Sequence, residues 1–319
     1  MINNGVLVFV TALLLALAID HFLGEPPLHL HPVVWMGNYL NWAANRLKPN
    51  PAPAVRDLKS FWLAALYWKG GAALVLIVSS AAQWAALQLP WYAALVVLGV
   101  ALKPMLAWSM LRSEVTAVEA ALSVSAHAGR QRLAMLVSRD TANLSESEVR
   151  ESAIESLAEN LNDSVVAPIF WFVLFGLPGA ALYRFANAAD AMWGYRGLRH
   201  GVNWEWAGKW AARADDVLCW LPARMTAVLL KLLSKDVDLK TLRSEACKTP
   251  SPNSGWPMAA MALALNVRLQ KTGVYALNPT GRLPQPKDTA DAIKIASSVV
   301  LAVYLCAQLA IILIAYVKP

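Results

Sequence analysis

"IASSVVLAVYLCAQLAIILIAYV", residues 295–317, contains no charged side chain. A helix needs about 20 mainly apolar residues to cross the hydrocarbon core of a bilayer. A soluble helix of that length would show a polar stripe, so this segment predicts a membrane span. Residues 1–19, "MINNGVLVFVTALLLALAI", are also uncharged. No basic run precedes them and "DHFLGEPP" offers no small-residue cleavage site, so a retained span over about 2–19 is expected rather than a cleaved signal. From Gly70 to Leu102 there is again no charge, but "QLPWY" (88–92) interrupts the run. The reading is a helical hairpin, about 64–88 and 91–111, with Pro90 in the turn.

Composition agrees. Hydrophobic residues make up 57% of the 319 and charged residues 15%, against about 25% charged in soluble domains. The fold class expected is an all-α, polytopic integral membrane protein with about four to six spanning or re-entrant helices and cytoplasmic helical loops. It reads as a single membrane domain over 1–319, since no linker or internal repeat divides it. The three cysteines form no CxxC pair or Cys/His cluster, which argues against a disulfide framework or structural zinc. The net charge of +7 comes without a basic run interleaved with aromatics, so nucleic acid is not an expected partner.

Lys and Arg set the orientation. The first loop carries Arg46, Lys48, Arg56 and Lys59, and the turn at 88–91 carries none. The first loop is then cytoplasmic and the N-terminus outside. The regions 112–163, with five Arg, and 234–294, within a stretch 231–294 holding ten Lys and Arg, read as cytoplasmic helical regions. The apolar segments 164–183 and 217–233 fit less simply. A full crossing by 164–183 would put Arg184, Arg196, Arg199, Lys209 and Arg213 outside, and Arg224 interrupts the return. Pro168, Gly176, Pro178 and Gly179 favour a broken, re-entrant element, tolerated where protein or a cavity shields it. The expected location is the cell (inner) membrane, multi-pass, with the active site on the cytoplasmic side.

In "ESAIESLAENLNDSVVAPIFWF" (151–172), Glu151, Glu155, Glu159 and Asp163 recur every four residues and share a helix face. Like charges at this spacing cost a helix a few tenths of a kcal/mol per pair. Ser145 and Glu148 form a capping-box pattern that starts the helix near Ser145. Its face is either solvated or an oxygen-rich site for Mg²⁺, which takes one or two carboxylates with substrate phosphates. Glu155, Glu159 and Asp163 are the candidate metal ligands and catalytic carboxylates.

Other polar groups stand at apolar boundaries. Asp20, Glu25 and His31 follow the first span, and a metal site built on His29 and His31 has only weak support from their spacing. Arg139 and Asp140 precede the acidic helix. Arg184, Asn187 and Asp190 fall at i, i+3 and i+6 of the next one. Asp215 and Asp216 precede the apolar run that contains Arg224. Each is compatible with an interface salt bridge, but Arg224 inside an apolar run is a functional candidate, counted as catalytic here. Asn253 and Ser254 open a small-residue helix whose free N–H groups suit an anion. The non-catalytic members of this set are the candidate substrate-binding residues. There is no phosphate-binding G-x-x-x-x-G-K-[ST] loop, no G-x-G-x-x-G and no G-x-S-x-G elbow.

The blocks "DHFLGEPPLHLHPVVWMG", "SRDT…EVRESAIESLAENLNDSVVAP", "PGAALYRFANAADAMWGYR", "AARADDVLCWLPAR" and "SPNSGWPMAAM…VYALN" resemble, in order from Asp20 to about Asn278, the membrane-bound adenosylcobinamide-phosphate synthases of cobalamin biosynthesis, the CbiB/CobD family. Many members carry Asp-Gly where this chain has Asp163-Ser164, and Thr-Leu-Asp-Ser where it has Ala188-Ala189-Asp190-Ala191. The carboxylates stay in place. The resemblance implies an amide ligase joining a propionate of adenosylcobyric acid to (R)-1-amino-2-propanol or its phosphate, with ATP as co-substrate and Mg²⁺ as cofactor. The lipid bilayer is a further partner, and a homo-oligomer is left open. The alternatives are a transporter with the acidic helix lining a cation path, or a non-catalytic membrane scaffold. One broken segment and no visible repeat weigh against transport.

Overall fold

The computed structural model describes residues 4–47, 49, 56–199, 201–234 and 237–317; Lys48 of the first loop lies outside them. In chain order the helices are α1 (Asn4–Leu23), α2 (Pro32–Leu47), α3 (Leu58–Leu87), α4 (Trp91–Leu102), α5 (Trp108–Val124), α6 (Ala126–Leu133), α7 (Glu146–Leu161), α8 (Ala167–Trp193), α9 (Trp204–Ala207), α10 (Lys209–Leu233), α11 (Leu239–Ala246), α12 (Gly255–Leu265) and α13 (Pro286–Val317). Two short antiparallel hairpins, β1 (Leu198–Arg199) with β2 (Val202–Asn203) and β3 (Leu269–Lys271) with β4 (Tyr275–Leu277), are found beside them. Five helical stretches among the described residues are long and apolar enough to cross a membrane: Gly5–Leu23, Leu58–Leu87, Trp91–Val124, Glu146–Trp193 and Pro286–Val317. The chain is a polytopic, all-α membrane protein.

Its residues gather into two compact units: Met1–Leu106 with Pro168–Cys219 and Ala307–Pro319, and Ala107–Ala167 with Trp220–Cys306. In the first unit α1 packs on α4, burying Ala12, Leu13 and Ala16 completely. Asp57 caps α3 by accepting from the Ser60 amide, so that helix starts six residues before the apolar run proper. The first-unit part of α8 breaks at Gly176, whose φ of 67° is a left-handed value that other residues rarely adopt. The break frees the Leu177 amide, which donates to the Gln83 side chain at 2.8 Å. Gln83, an uncharged polar residue inside an apolar helix, thus replaces the hydrogen bond that the kink removes.

In the second unit α7 is surrounded by α5, α6, α12 and β3. Leu111, Val115, Val118 and Leu122 of α5 repeat every three or four residues and are buried, which makes α5 amphipathic and sets its inner face. Residues 162–166 form a π-turn at the end of α7, and the Ser164 carbonyl accepts from the Ala107 amide at 3.1 Å. Such turns insert one residue into a helix and concentrate at functional sites.

Several elements depart from the sequence reading. The hairpin arm read over 91–111 is cut by a 3₁₀ turn at Lys103–Met105, because Pro104 has no amide to continue the α-helix. The apolar segment 164–183 continues to Trp193, and 217–233 is the second half of the longer α10. The region 234–294 contains the β3–β4 hairpin as well as helices.

Candidate functional site

The acidic helix lies in the second unit, and its start is built as the sequence implies. Ser145 accepts from the Glu148 amide while the Glu148 carboxylate accepts from the Ser145 amide. This assigns Glu148 to capping. One turn on, Glu151 is fully buried and accepts from Arg268 Nη2 at 3.1 Å and from the Gln270 amide at 2.8 Å. Glu155, also buried, pairs with the Arg139 guanidinium, and Lys271 adds its positive field. The cations absent from the helix are delivered from the loop before it and from the β3–β4 hairpin. Each buried carboxylate therefore meets opposite charge, which offsets their mutual repulsion.

Tyr275 completes this wall. Its hydroxyl lies 3.9 Å from Met258 Sδ and within the fields of Glu155, Glu159 and Arg139. Burial, with the two negative charges added, pushes that hydroxyl far above its ordinary range. Tyr275 therefore stays neutral and offers a proton for hydrogen bonding. Glu159 and Asp163 are only half-buried, so the stripe opens toward its C-terminal end. Asn162 Nδ2 donates to Asp163 Oδ1 at 2.8 Å, and Asn162 Oδ1 accepts from the Thr226 hydroxyl at 3.0 Å. These bonds orient the π-turn carboxylate.

The expected three-carboxylate metal set does not form. Among the described residues no group of three or more His, Cys, Asp or Glu side chains can hold a metal ion. Residues at i, i+4 and i+8 climb about 12 Å along a helix, whereas a Mg²⁺ ligand must come within about 2.1 Å of the ion.

Arg139 and Glu155 are thus brought together, and Asp140 turns the loop beside them by accepting from the Ala142 amide at 2.9 Å. Arg224 and Asn253 are brought together as well. Arg224 Nη1 donates to Asn253 Oδ1 at 2.7 Å and to the Trp220 carbonyl at 2.6 Å, and Nη2 donates to the Pro252 carbonyl at 3.2 Å. Its guanidinium lies over the Trp220 and Trp256 rings, at 4.4 and 5.0 Å from their centres. The Ser254 amide donates to the Ser251 hydroxyl at 3.3 Å, and the Ser254 side chain makes no cap bond. This arrangement fastens α10 to the loop before α12.

In the first unit Asp20 and Glu25 converge on a residue that sequence reasoning missed, and His31 bonds Glu25. Lys103, 2% exposed, reaches Glu25 Oε2 at 2.6 Å, Asp20 Oδ1 at 3.3 Å and the Leu106 carbonyl at 3.5 Å. The Val33 amide donates to His31 Nδ1 at 3.2 Å, so the neutral ring carries its proton on Nε2 and donates to Glu25 at 3.2 Å. A lysine within an apolar run was the available signal. Arg184 Nη1 donates to Asn187 Oδ1 at 3.4 Å, and the Asp190 carbonyl accepts from the Gly194 amide at 2.7 Å. Asp215 and Asp216 lie on α10, where burial pushes the Asp216 carboxyl up while the Arg196 charge pulls against it. The other missed residues are Lys271 and Tyr275 of the second-unit hairpin and Arg268 just before it.

A family model described as CobD/Cbib protein matches residues 13–302. The chain is 37% identical over 321 residues to a probable cobalamin biosynthesis protein CobD of Methanothermobacter thermautotrophicus, covering 96% of this chain and 98% of the relative. It is 40% identical over 282 residues to the probable CobD of Thermococcus kodakarensis (88% and 89% covered). It is 38% identical over 256 residues to the cobalamin biosynthesis protein CobD of Chromobacterium violaceum (80% and 79%). No solved structure matches the chain. Matched along nearly its whole length, this membrane chain belongs to the CobD/Cbib family of cobalamin biosynthesis proteins.

Proposed function

We propose that the protein is an adenosylcobinamide-phosphate synthase. It joins a propionate of adenosylcobyric acid to (R)-1-amino-2-propanol phosphate, or to the free amine, at the expense of ATP. The observation that carries this reading is the buried, charge-balanced acidic helix of a CobD/Cbib chain, with Glu155 held by Arg139 and the half-open Glu159 and Asp163 beyond it. A carboxylate must be activated before an amine attacks it, most simply as an acyl phosphate. The amine nitrogen then bonds to the carbonyl carbon, the carbon–oxygen bond to phosphate breaks, and the nitrogen gives up a proton. Several negative charges meet in such a site and need cationic partners. Arg139, Arg268 and Lys271 are the cations beside the acidic helix, and Tyr275 supplies a neutral hydrogen-bond donor.

The donor set fits Mg²⁺ in one form only, an ion that arrives on nucleotide phosphates and takes one or two carboxylates. Glu159 and Asp163 would hold it, and it would supply charge neutralisation on the transferred phosphoryl group. Glu159 is also the candidate acceptor of the proton released by the amine. The ten Lys and Arg of 231–294 support a cytoplasmic position for this site.

The test uses purified protein in detergent, given adenosylcobyric acid, aminopropanol phosphate and Mg-ATP, with the amide detected by mass. Amide that appears only with nucleotide is the expected result. Folded protein that makes none under any nucleotide condition would remove the assignment.

A further inference from the structure

Within the second unit, a groove of ≈ 380 Å³ lies where α13 changes from charged to apolar. We infer that it binds one anionic phospholipid, with the phosphate on Lys287 and Lys294 and an acyl chain along Leu301 and Leu305.

The sequence of α13 places these groups in one line. Positions 287, 294, 298, 301 and 305 fall within about 60° of one another at 3.6 residues per turn. Lys287, Lys294 and Ser298 are exposed, and Leu301 and Leu305 are 60% and 62% exposed. A single stripe thus passes from ammonium groups through a hydroxyl to bare leucines. The uncharged run begins at Ile295, next to Lys294. Lys294 to Leu305 is eleven residues, about 16 Å, and half a hydrocarbon core is about 15 Å. With the lysines at headgroup level, Leu305 lies near the depth where a lipid tail ends.

The opposite wall is apolar. Leu233 lines the groove, and it is 44% exposed beside Leu232 at 70%. Apolar surface therefore continues from the groove onto both flanking helices, as an amphiphile requires and a soluble anion does not.

Charge selects the headgroup. Arg282 is matched by Asp288, which it grips through two nitrogens at 2.6 Å each. Lys287 and Lys294, with Asp291 between them, leave one net positive charge, which suits a single phosphodiester. A zwitterionic headgroup brings no net charge. Basic grooves between helices at the cytoplasmic membrane face commonly take acidic headgroups.

The experiment reads the melting temperature of purified protein in neutral detergent. The additives are dioleoyl phosphatidylglycerol, dioleoyl phosphatidylcholine or inorganic phosphate. Phosphatidylglycerol should raise the melting temperature by about 2–4 °C, as expected for ligand at several times Kd. Phosphatidylcholine and inorganic phosphate should leave it unchanged. K287Q/K294Q should lose the shift and K287R/K294R should keep it. An equal rise with phosphatidylcholine would show unselective lipid contact, and a rise with phosphate alone would show a soluble-anion site. Either result overturns the proposal, as does an undiminished shift in K287Q/K294Q. Should that variant fail to fold, Ser298→Trp fills the groove without touching a charge. A full phosphatidylglycerol shift in Ser298→Trp would equally reject the site.

Discussion

At the scale of single residues, burial separates groups that look equivalent in the sequence. Glu155 and Glu159 are one turn apart, yet Glu155 is enclosed and held by Arg139 while Glu159 is half-open. Glu155→Gln removes one charge from a buried pair and leaves the other poorly compensated, a loss of several kcal/mol where no solvent reaches. Arg139 is 20% exposed, so the expected cost is smaller, about 1–3 kcal/mol. Glu159→Gln and Asp163→Asn should leave the melting temperature unchanged and lower kcat/KM at least tenfold, about 1.4 kcal/mol in the barrier. Equal melting temperatures for all three variants would contradict the division between a holding and a reacting carboxylate. Arg224, a catalytic candidate by its place in an apolar run, donates through its nitrogens to Trp220, Pro252 and Asn253, and its plane lies against two indoles. Lysine reproduces neither the fork nor the stacking. Arg224→Lys should lower the melting temperature and spare the kcat/KM of the folded fraction. A tenfold fall in kcat/KM without loss of stability would return Arg224 to the substrate.

At the scale of elements, one buried carboxylate makes the direct hydrogen bonds that tie β3 to α7. Glu151 accepts from the Arg268 guanidinium and the Gln270 amide. Glu151→Ala removes both bonds and strands a cation, so it should cost about 2–4 kcal/mol. Amide exchange over 269–277 should quicken at least tenfold, with α5 little changed. Uniform quickening throughout the second unit would mean that the hairpin is no separate strap. The sequence showed the helices here because apolar periodicity, the Ser145–Glu148 cap and long uncharged runs are local signals. It concealed the hairpin because strands of three residues are too short to reveal alternation. The partners were also hidden. Arg268 lies 117 positions from Glu151, and no local pattern announces that contact. Lys103 was legible in principle, but a proline-broken turn inside an apolar run was read as uninterrupted helix.

At the scale of the whole chain, α8 decides how many times it crosses the membrane. A span needs about 20 apolar residues, or 30 Å of helix. The break at Gly176 leaves Pro168–Phe175 of the first unit on one side, about 12 Å. On the other side only Leu177–Tyr183 precedes Arg184, about 10 Å. Neither arm spans a bilayer alone, and Gln83 satisfies the amide exposed between them. The five cations from Arg184 to Arg213 also resist translocation. By contrast, α3 is unbroken over 30 residues, with exposed Trp62 near one end and exposed Trp84 near the other, as in helices anchored at both interfaces. Both arguments concern the first unit, and they predict opposite sides for two of its exposed residues, Leu89 and Leu198. In a background with Cys247 and Cys306 replaced by Ser, a cysteine at position 89 should react with an impermeant maleimide in intact cells. A cysteine at 198 should react only after permeabilisation. Labelling of 198 in intact cells would make α8 a full crossing despite its kink, and would place five basic residues outside against the charge rule.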